Sequence, residues 1–286
     1  MLRRTFLTAI ITLFAAAAVL AQAPEDKTAT VFGAKIRYLE AGSPGNRTVV
    51  LLHGLGGQAE NWQFTIPALA AKYHVLAPDQ IGFGKSDKPF LKYRVGTYVD
   101  FLDMFLTQVK VQKATLVGNS LGGWIAGLYS VRYPSRVEKL VLVDAAGLTP
   151  AKLDPKVVYR LNSSTREEVR ENLKVTLYNK ALAENPAVVD QFLTLRVTNG
   201  DGYTVSSLTE SILRGEDYID ALLGEIKMPT LIVWGKQDGL LPYSNAERFQ
   251  KGIAGSELFA IDECGHVPMF EKPMEFNAKV LEFIAK

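Results

Sequence analysis

The pentapeptide Gly118-Asn119-Ser120-Leu121-Gly122 decides how this chain is interpreted. An apolar run at 114–117 stands immediately before it, and a helix-compatible stretch follows at 123–129. The order of strand, sharp turn and helix holds a serine in a strained backbone conformation, and the flanking glycines leave room for that turn. We therefore expect the Ser120 hydroxyl to project from the sheet at the start of a helix whose N–H groups face it.

Length and composition point to a single large domain. The chain has 286 residues, 48% of them hydrophobic, which suits one α/β domain with an inserted subdomain. The only cysteine, Cys264, excludes a disulfide within the chain, and we interpret it as a small buried residue. The histidines are too far apart in sequence to form a local metal motif, so we predict no metal and no cofactor.

The segment 1–21 has the composition of a secretory signal peptide. Arg3 and Arg4 give it a positive start, residues 6–20 are apolar or small, and Val19-Leu20-Ala21 fits a cleavage site. The double arginine is also similar to a twin-arginine export signal, so the choice between the Sec and twin-arginine routes stays open. We predict export to the periplasm or the medium, with no stable membrane span after cleavage; retention as an uncleaved anchor is the alternative.

The charge balance argues against some classes of partner. Loss of residues 1–21 removes two of the 32 basic residues and none of the 30 acidic ones, so the mature chain is formally neutral. This gives no reason to expect nucleic acid or an anionic membrane as a partner. The expected partner is a small-molecule substrate, and the sequence does not indicate an oligomeric state.

Strand and helix patterns alternate along two parts of the chain. Residues 29–41 predict a hairpin, and apolar runs predict buried strands at 48–52, 74–77, 114–117, 137–143, 230–234 and 257–261. Helices are expected at 62–72, 95–110, 121–133 and 273–286, with Pro67 as a flaw in the first. This alternation predicts an α/β fold with a mostly parallel sheet.

The alternation stops after Gly147. From there to residue 226 no strand pattern stands out, and the segment is charged and helix-like. We interpret 147–226 as an inserted helical cap, which divides the core into 22–146 and 227–286.

Ser120 needs a base to act as a nucleophile, and the base needs a group to orient it. His266 is the candidate base, because it follows the last strand and the carboxyl ends of parallel strands gather at one edge of the sheet. Asp238, just past another strand end, is the candidate orienting acid. Asp144 lies at the same edge and is the rival acid.

A tetrahedral intermediate needs hydrogen-bond donors that are in place before the reaction. We expect the backbone N–H groups of Leu121 and Leu55 to form this oxyanion hole. Leu121 directly follows the serine, and Leu55 lies in a glycine-rich loop whose backbone can come close to it.

The order Ser120, Asp238, His266 resembles the α/β-hydrolase family, as does His53-Gly54 after the third strand. The loop 79–86 looks like that family's D-x-x-G-x-G-x-S motif, and the resemblance extends over nearly all of 29–286. It implies an eight-stranded sheet flanked by helices, with a helical cap inserted after the sixth strand.

The resemblance leaves the substrate open. Asn119 before the serine is similar to the residue found in hydrolases that cleave carbon–carbon bonds of aromatic ring-fission products. Those enzymes usually carry Trp where Val267 stands, and they hold a substrate carboxylate with a cap arginine, for which Arg196 is a candidate. Esterases and lipases share every other motif. Asn119, Val267, Trp62 and Trp124 are the candidate residues of the substrate pocket.

From these patterns we expect an exported serine hydrolase that cleaves carboxylic esters of small to medium acyl chains through an acyl-enzyme. A carbon–carbon bond hydrolase with the same catalytic residues is the alternative. A member of the fold that only binds a ligand is a third hypothesis, which the intact Ser, His and acid argue against.

Overall fold

A computed structural model describes residues 23–286 except Leu153. The predicted signal peptide, 1–21, lies outside the described residues. Eight strands form one sheet in the order β1-β2-β4-β3-β5-β6-β7-β8. Their bounds are β1 Glu25–Val31, β2 Ala34–Ala41, β3 Thr48–Leu52, β4 His74–Pro78, β5 Ala114–Asn119, β6 Val137–Val143, β7 Thr230–Gly235 and β8 Glu257–Ile261.

The hairpin β1–β2 is antiparallel, and its strand β2 pairs antiparallel with β4, whereas all pairs among the strands β3 to β8 are parallel. The central strands β3 to β7 are buried along their whole length or nearly so, which is why they read as continuous apolar runs. The predicted eight-stranded, mostly parallel sheet is confirmed.

Eleven α-helices connect and cover the strands in the described part of the chain. They are α1 Ile66–Ala70, α2 Val95–Gln108, α3 Leu121–Arg132, α4 Pro155–Arg160, α5 Arg166–Thr176, α6 Lys180–Glu184, α7 Pro186–Asn199, α8 Gly202–Leu213, α9 Ser244–Gly252, α10 Pro268–Glu271 and α11 Pro273–Ala285. Short 3-10 helices run over Ala59–Trp62, Pro134–Arg136 and Asp220–Glu225. Along these residues no helix combines the length and apolar content that a membrane crossing requires.

The sheet has an apolar cluster on each face. Side chains of α2, α3 and α9 cover one face, and side chains of α1 and α11 cover the other. The carboxyl ends of the parallel strands meet at one edge, between these two layers, and that edge carries the candidate site.

The helix predicted over 62–72 is wrong in its extent. A 3-10 helix ends at Trp62, and α1 begins only at Ile66 with Pro67 in its first turn. Proline has no N–H to donate and a fixed φ, so it is tolerated in a first turn but not within a helix that begins four residues earlier.

The predicted cap segment contains α4 to α8, and its described residues include no strand. Val169, Leu173, Leu177, Ala183 and Val189 form a small apolar cluster of their own. Val205 and Leu208 of α8 instead belong to the main core, so the C-terminal part of the segment packs as part of the core.

The turn between β5 and α3 brings three backbone segments unusually close together. A Cβ added at Gly118 would lie 2.2 Å from the carbonyl oxygen of Gly122, and one added at Gly122 would lie 2.2 Å from that of Leu52. Only residues without a side chain fit there, because both neighbouring atoms are backbone.

Gly122→Ala tests this constraint. We expect it to lower the free energy of unfolding by about 1–3 kcal/mol, because the new methyl group displaces the end of β3. Gly224→Ala is the matched control, since a Cβ there meets no atom within 4 Å. Denaturant unfolding measures both, and equal stability of the two variants would contradict the packing described.

Candidate active site

Ser120 occupies the tight turn as the residue that precedes α3. Its φ of 54° and ψ of −116° lie outside the regions that non-glycine residues ordinarily adopt. The strained backbone is held from both sides: the N–H of Ser120 donates to the Val143 carbonyl (3.0 Å), and its own carbonyl accepts from Trp124 N (3.1 Å) and Ala146 N (3.0 Å). A strain of this kind, of order 1–3 kcal/mol, persists where surrounding structure enforces it and is typical of functional sites.

The glycine-rich loop after β3 lies against the serine. A Cβ built on Gly54 would be 3.3 Å from the Cβ of Ser120, so the backbone of this loop borders the candidate nucleophile. Leu55 follows Gly54 directly, and Leu121 is the first residue of α3, where no earlier turn offers its N–H an acceptor. Both candidate oxyanion donors therefore lie on segments that border Ser120; their catalytic role stays a prediction.

Buried His53 anchors this loop. Its Nδ1 contacts the Gly54 carbonyl (2.8 Å) as a donor, and its Nε2 accepts from Gln80 N (3.0 Å). Burial lowers the pKa of His53, consistent with a neutral ring whose two nitrogens have opposite roles. Asp79, at the start of the D-x-x-G-x-G-x-S loop, accepts from Ala59 N at 2.7 Å and so fixes the other end of the same loop.

His266 and Asp238 come together as the sequence predicted. The Nδ1 of His266 lies 2.7 Å from Oδ2 of Asp238, and Oδ1 of Asp238 accepts from Leu240 N (2.8 Å) and Leu241 N (3.0 Å). The carboxylate thus fixes the tautomer that carries its proton on Nδ1. The Nε2 atom is buried and has no hydrogen-bond partner among the described residues, so its lone pair is available to a substrate-side proton.

Asp144, the rival acid, has a different environment. It is fully buried, and its Oδ1 accepts from Gly235 N at 2.9 Å. One oxygen of each acid and a ring nitrogen of His266 lie within 4.8 Å of one another, but Asp238 is the acid hydrogen-bonded to the ring. Backbone N–H groups donate to Oδ1 of both acids, and the ring N–H of His266 donates to Oδ2 of Asp238. We therefore interpret the cluster as a hydrogen-bonded network.

Asn119 contacts the loop of the candidate base in this structure, and its place in the substrate pocket stays a prediction. Its side chain is buried, and Nδ2 donates to the carbonyl oxygens of His266 (3.0 Å) and Val143 (3.2 Å). The residue before the serine therefore holds the loop of the candidate base.

The two tryptophans predicted for the pocket are both buried. Trp62 is fully buried on the α11 face of the sheet, with its ring 6.3 Å from that of Phe276. Trp124 is buried too; its Nε1 donates to the Asp217 carbonyl (2.7 Å) and its ring stacks on Tyr218. Both side chains are packed among other aromatic residues, and their place in the substrate pocket stays a prediction.

Val267 is half-buried and packs both on the apolar cluster that α1 and α11 cover and on the small cluster of the predicted cap segment. Cys264 is fully buried as expected, and burial raises the pKa of its thiol, which makes it a poor nucleophile.

Residues 175–178 of the predicted cap segment contact the loops of both Asp238 and His266, and the sequence analysis did not predict these contacts. The Thr176 carbonyl accepts from His266 N (2.7 Å), and the Val175 carbonyl accepts from Gly239 N (3.1 Å). Glu271 joins the two parts, because its carboxylate accepts from Gly265 N (2.9 Å) and Tyr178 N (2.7 Å). The contacts of Val175 and Thr176 join backbone atoms that are far apart in sequence, so no pattern of residue types predicts them.

Arg196 of α7 also reaches the site. Its guanidinium contacts the carboxylate of Asp201 and the side-chain oxygen of Asn162. A Cβ built on Gly56 would be 3.2 Å from Nη1 of Arg196, which places this charge over the glycine-rich loop. Asp201 is almost completely buried; burial raises its pKa, and the guanidinium opposes that shift.

A family model for the alpha/beta hydrolase fold matches residues 47–273. The chain belongs to the alpha/beta-hydrolase family. A 2-hydroxy-6-oxo-6-(2'-aminophenyl)hexa-2,4-dienoic acid hydrolase of Metapseudomonas resinovorans is 31% identical over 260 residues, which cover 89% of each chain.

Two solved alpha/beta-hydrolase structures are similar at 28% identity. A meta-cleavage product hydrolase of Pseudomonas fluorescens IP01 matches with a TM-score of 0.82 over 91% of this chain and 97% of its own. A bacterial membrane phospholipase A matches with a TM-score of 0.81 over 92% and 86%. The relatives thus include both types of hydrolase that the sequence left open.

Asp238→Asn tests the assignment of the acid. We expect kcat to fall by about 10⁴-fold with little change in stability, because the amide favours the wrong imidazole tautomer. Asp262→Asn is the control, since Asp262 is an exposed acid at the same sheet edge that pairs with Lys236. Turnover and thermal unfolding are measured for both, and a nearly normal kcat in Asp238→Asn would refute the assignment.

Proposed function

We propose that this alpha/beta hydrolase is a serine hydrolase that cleaves carboxylic esters of small to medium acyl chains. The observation that carries the proposal is the combination of a strained Ser120 at the start of α3 with a His266 whose Nε2 is free and whose Nδ1 is held by Asp238. This is the arrangement that activates a hydroxyl at neutral pH.

The proposed reaction has two halves. The Ser120 oxygen attacks the ester carbonyl while Nε2 of His266 takes its proton, and the N–H groups of Leu55 and Leu121 stabilise the resulting oxyanion. The alcohol leaves with the proton from His266, and the acyl group stays on Ser120. Water then attacks the acyl-enzyme by the same route and releases the acid.

The state of Arg196 favours a neutral ester over an anionic substrate. Its guanidinium already contacts the buried carboxylate of Asp201, so a substrate carboxylate has to compete with an internal one. Val267 adds to this argument, because a small aliphatic side chain stands where the carbon–carbon bond hydrolases usually have Trp. The similarity to a phospholipase supports the ester class.

A carbon–carbon bond hydrolase is the second candidate. The relative from Metapseudomonas resinovorans, a dienoic acid hydrolase, supports it, as does the position of Arg196 above Gly56. Nη1 of Arg196 contacts Asp201 and Nη2 contacts Asn162, so a substrate carboxylate would compete with these side chains or bind the remaining N–H groups of the guanidinium.

A panel of substrates decides between these candidates. We expect nitrophenyl acetate to octanoate to be turned over with higher kcat/KM than a long-chain ester emulsion or a ring-fission dienoate, and Ser120→Ala to lose at least about 10³-fold in kcat. A dienoate turned over better than every ester would favour the second candidate. Absence of all turnover, without labelling of Ser120 by an organophosphonate, would favour the ligand-binding hypothesis.

Asp201→Asn tests the argument from Arg196. Without the internal carboxylate, the guanidinium is free to bind a substrate anion, so KM for a nitrophenyl hemisuccinate should fall about tenfold while KM for the neutral butyrate stays the same. Asp190→Asn is the control, because Asp190 is an exposed acid of α7 that pairs with Arg166. An equal change for both esters would show that Asp201 does not shield Arg196.

We also propose that the protein is exported. The support is the sequence of residues 1–21 alone: a positive start, an apolar stretch and a small-residue cleavage pattern. Expression of the full chain in a bacterium, followed by fractionation and N-terminal sequencing, tests it. We expect mature protein that begins at Gln22 outside the cytoplasm. Replacement of Arg3 and Arg4 by lysine distinguishes the Sec route from the twin-arginine route, because only twin-arginine export requires the two arginines.

A further inference from the structure

Asp144 is a fully buried acid at the end of β6 that the proposed reaction does not use. Its φ is 41°, and its backbone N–H donates to the Val233 carbonyl at 2.9 Å. One side-chain oxygen, Oδ1, accepts from Gly235 N at 2.9 Å. The other, Oδ2, is buried and has no hydrogen-bond partner among the described residues. A buried polar atom without a partner is costly, so its state requires an explanation.

The groups that face Asp144 disfavour a negative charge. Asp238 and His266 lie within the same 4.8 Å cluster, and the carboxylate of Glu271 and the thiol of Cys264 face it from α10 and the loop after β8. Burial, and next the charge of Asp238, raise the pKa of Asp144 well above its usual value. These two causes are the ones that keep one of two neighbouring carboxyl groups protonated.

Asp238 has a vacant acceptor position for such a proton. A carboxylate offers about four lone-pair sites. Two are used at Oδ1 by Leu240 N and Leu241 N, and one at Oδ2 by the ring N–H of His266. One site remains, and an oxygen of the buried Asp144 carboxyl group lies within 4.8 Å of an oxygen of Asp238.

We propose that Asp144 keeps its proton at neutral pH and donates its Oδ2–H to the carboxylate of Asp238, which makes it a positioning residue for the Asp238–His266 pair. The inference rests on the proposed function only for its effect on catalysis. Asp144 joins the end of β6 to the loop after β7 through two hydrogen bonds, one accepted from Gly235 and one donated to Asp238. It fixes the plane of the Asp238 carboxylate, and thereby the direction in which Nε2 of His266 points.

Asparagine is the matched substitution at this position. Its amide accepts from Gly235 and donates to Asp238 in the same geometry, it cannot ionise, and it tolerates a positive φ better than most residues. Asp144→Gly also fits the backbone but removes both hydrogen bonds. The pair of variants separates a neutral hydrogen-bonding side chain, which Asn retains and Gly lacks, from an ionised carboxylate, which neither variant provides.

Infrared spectroscopy at neutral pH tests the protonation state without reference to activity. We expect the wild type to show the carbonyl band of a buried protonated carboxylic acid, and this band to be missing from Asp144→Asn. A wild-type minus Asp144→Asn difference spectrum isolates Asp144 from other buried acids such as Glu271. A difference spectrum with only an ionised carboxylate band would overturn the proposal.

The pH dependence of stability gives a second test. A folded-state pKa above the unfolded value of 3.8 means that the folded protein holds a proton which the unfolded chain releases, so stability falls as pH rises through that window. Asp144→Asn removes this loss. Its Tm relative to wild type should therefore increase steadily from about pH 4 to about pH 8, and a constant difference would contradict a protonated Asp144.

Turnover then tests the positioning role. We expect Asp144→Gly to lower kcat about 100-fold with KM little changed, because a small misorientation of a catalytic group has that effect, and Asp144→Asn to restore most of the loss. Equal losses in both variants would contradict donation to Asp238. If Ser120→Ala is as active as wild type, the proposed function fails while the infrared and Tm results still decide the state of Asp144.

Discussion

The close crossing of β5, α3 and β3 at Ser120 is the constraint on which the rest of the site depends. The serine backbone has a positive φ because β5 must turn directly into α3, and the turn fits only because Gly118 and Gly122 carry no side chains. Once the serine is fixed there, each loop that follows a parallel strand ends near it. The sheet therefore positions the loops after β3, β6, β7 and β8, and these loops carry the candidate site residues.

The predicted cap segment is part of this arrangement. The carbonyl groups of Val175 and Thr176 hold the loops of Asp238 and His266, and Glu271 holds the same stretch of cap to the His266 loop. Loops carry function well only when a rigid frame positions them, and here the frame is partly the inserted segment. The C-terminal end of α5 and the residue before it therefore contact the loops of both members of the Asp–His pair.

The sequence predicted the sheet well because a strand buried on both faces is a continuous apolar run, as at Thr48–Leu52. It also predicted that Asp238 contacts His266; the end of a strand alone fits Asp144 equally well, and the order Ser120, Asp238, His266 that resembles the family favours Asp238. It did not predict the packing of Trp62 and Trp124 or the hydrogen bonds of Asn119, because residue type does not tell which way a side chain points once it is near the site. The supports from Val175 and Thr176 were not predictable, because they are backbone contacts made across more than fifty residues of intervening chain.

Two buried atoms of the network, Nε2 of His266 and Oδ2 of Asp144, have no hydrogen-bond partner among the described residues, and they differ in whether each should carry a proton. Both side chains lie in one cluster with Asp238. If both atoms were acceptors, Asp238 would have a second negative charge beside it and His266 would be drawn toward two acids at once. With a proton on Asp144, Asp238 accepts both hydrogen bonds, one from the Oδ2–H of Asp144 and one from the ring N–H of His266. The single acceptor left over is then Nε2, the one position where a proton from the serine is needed.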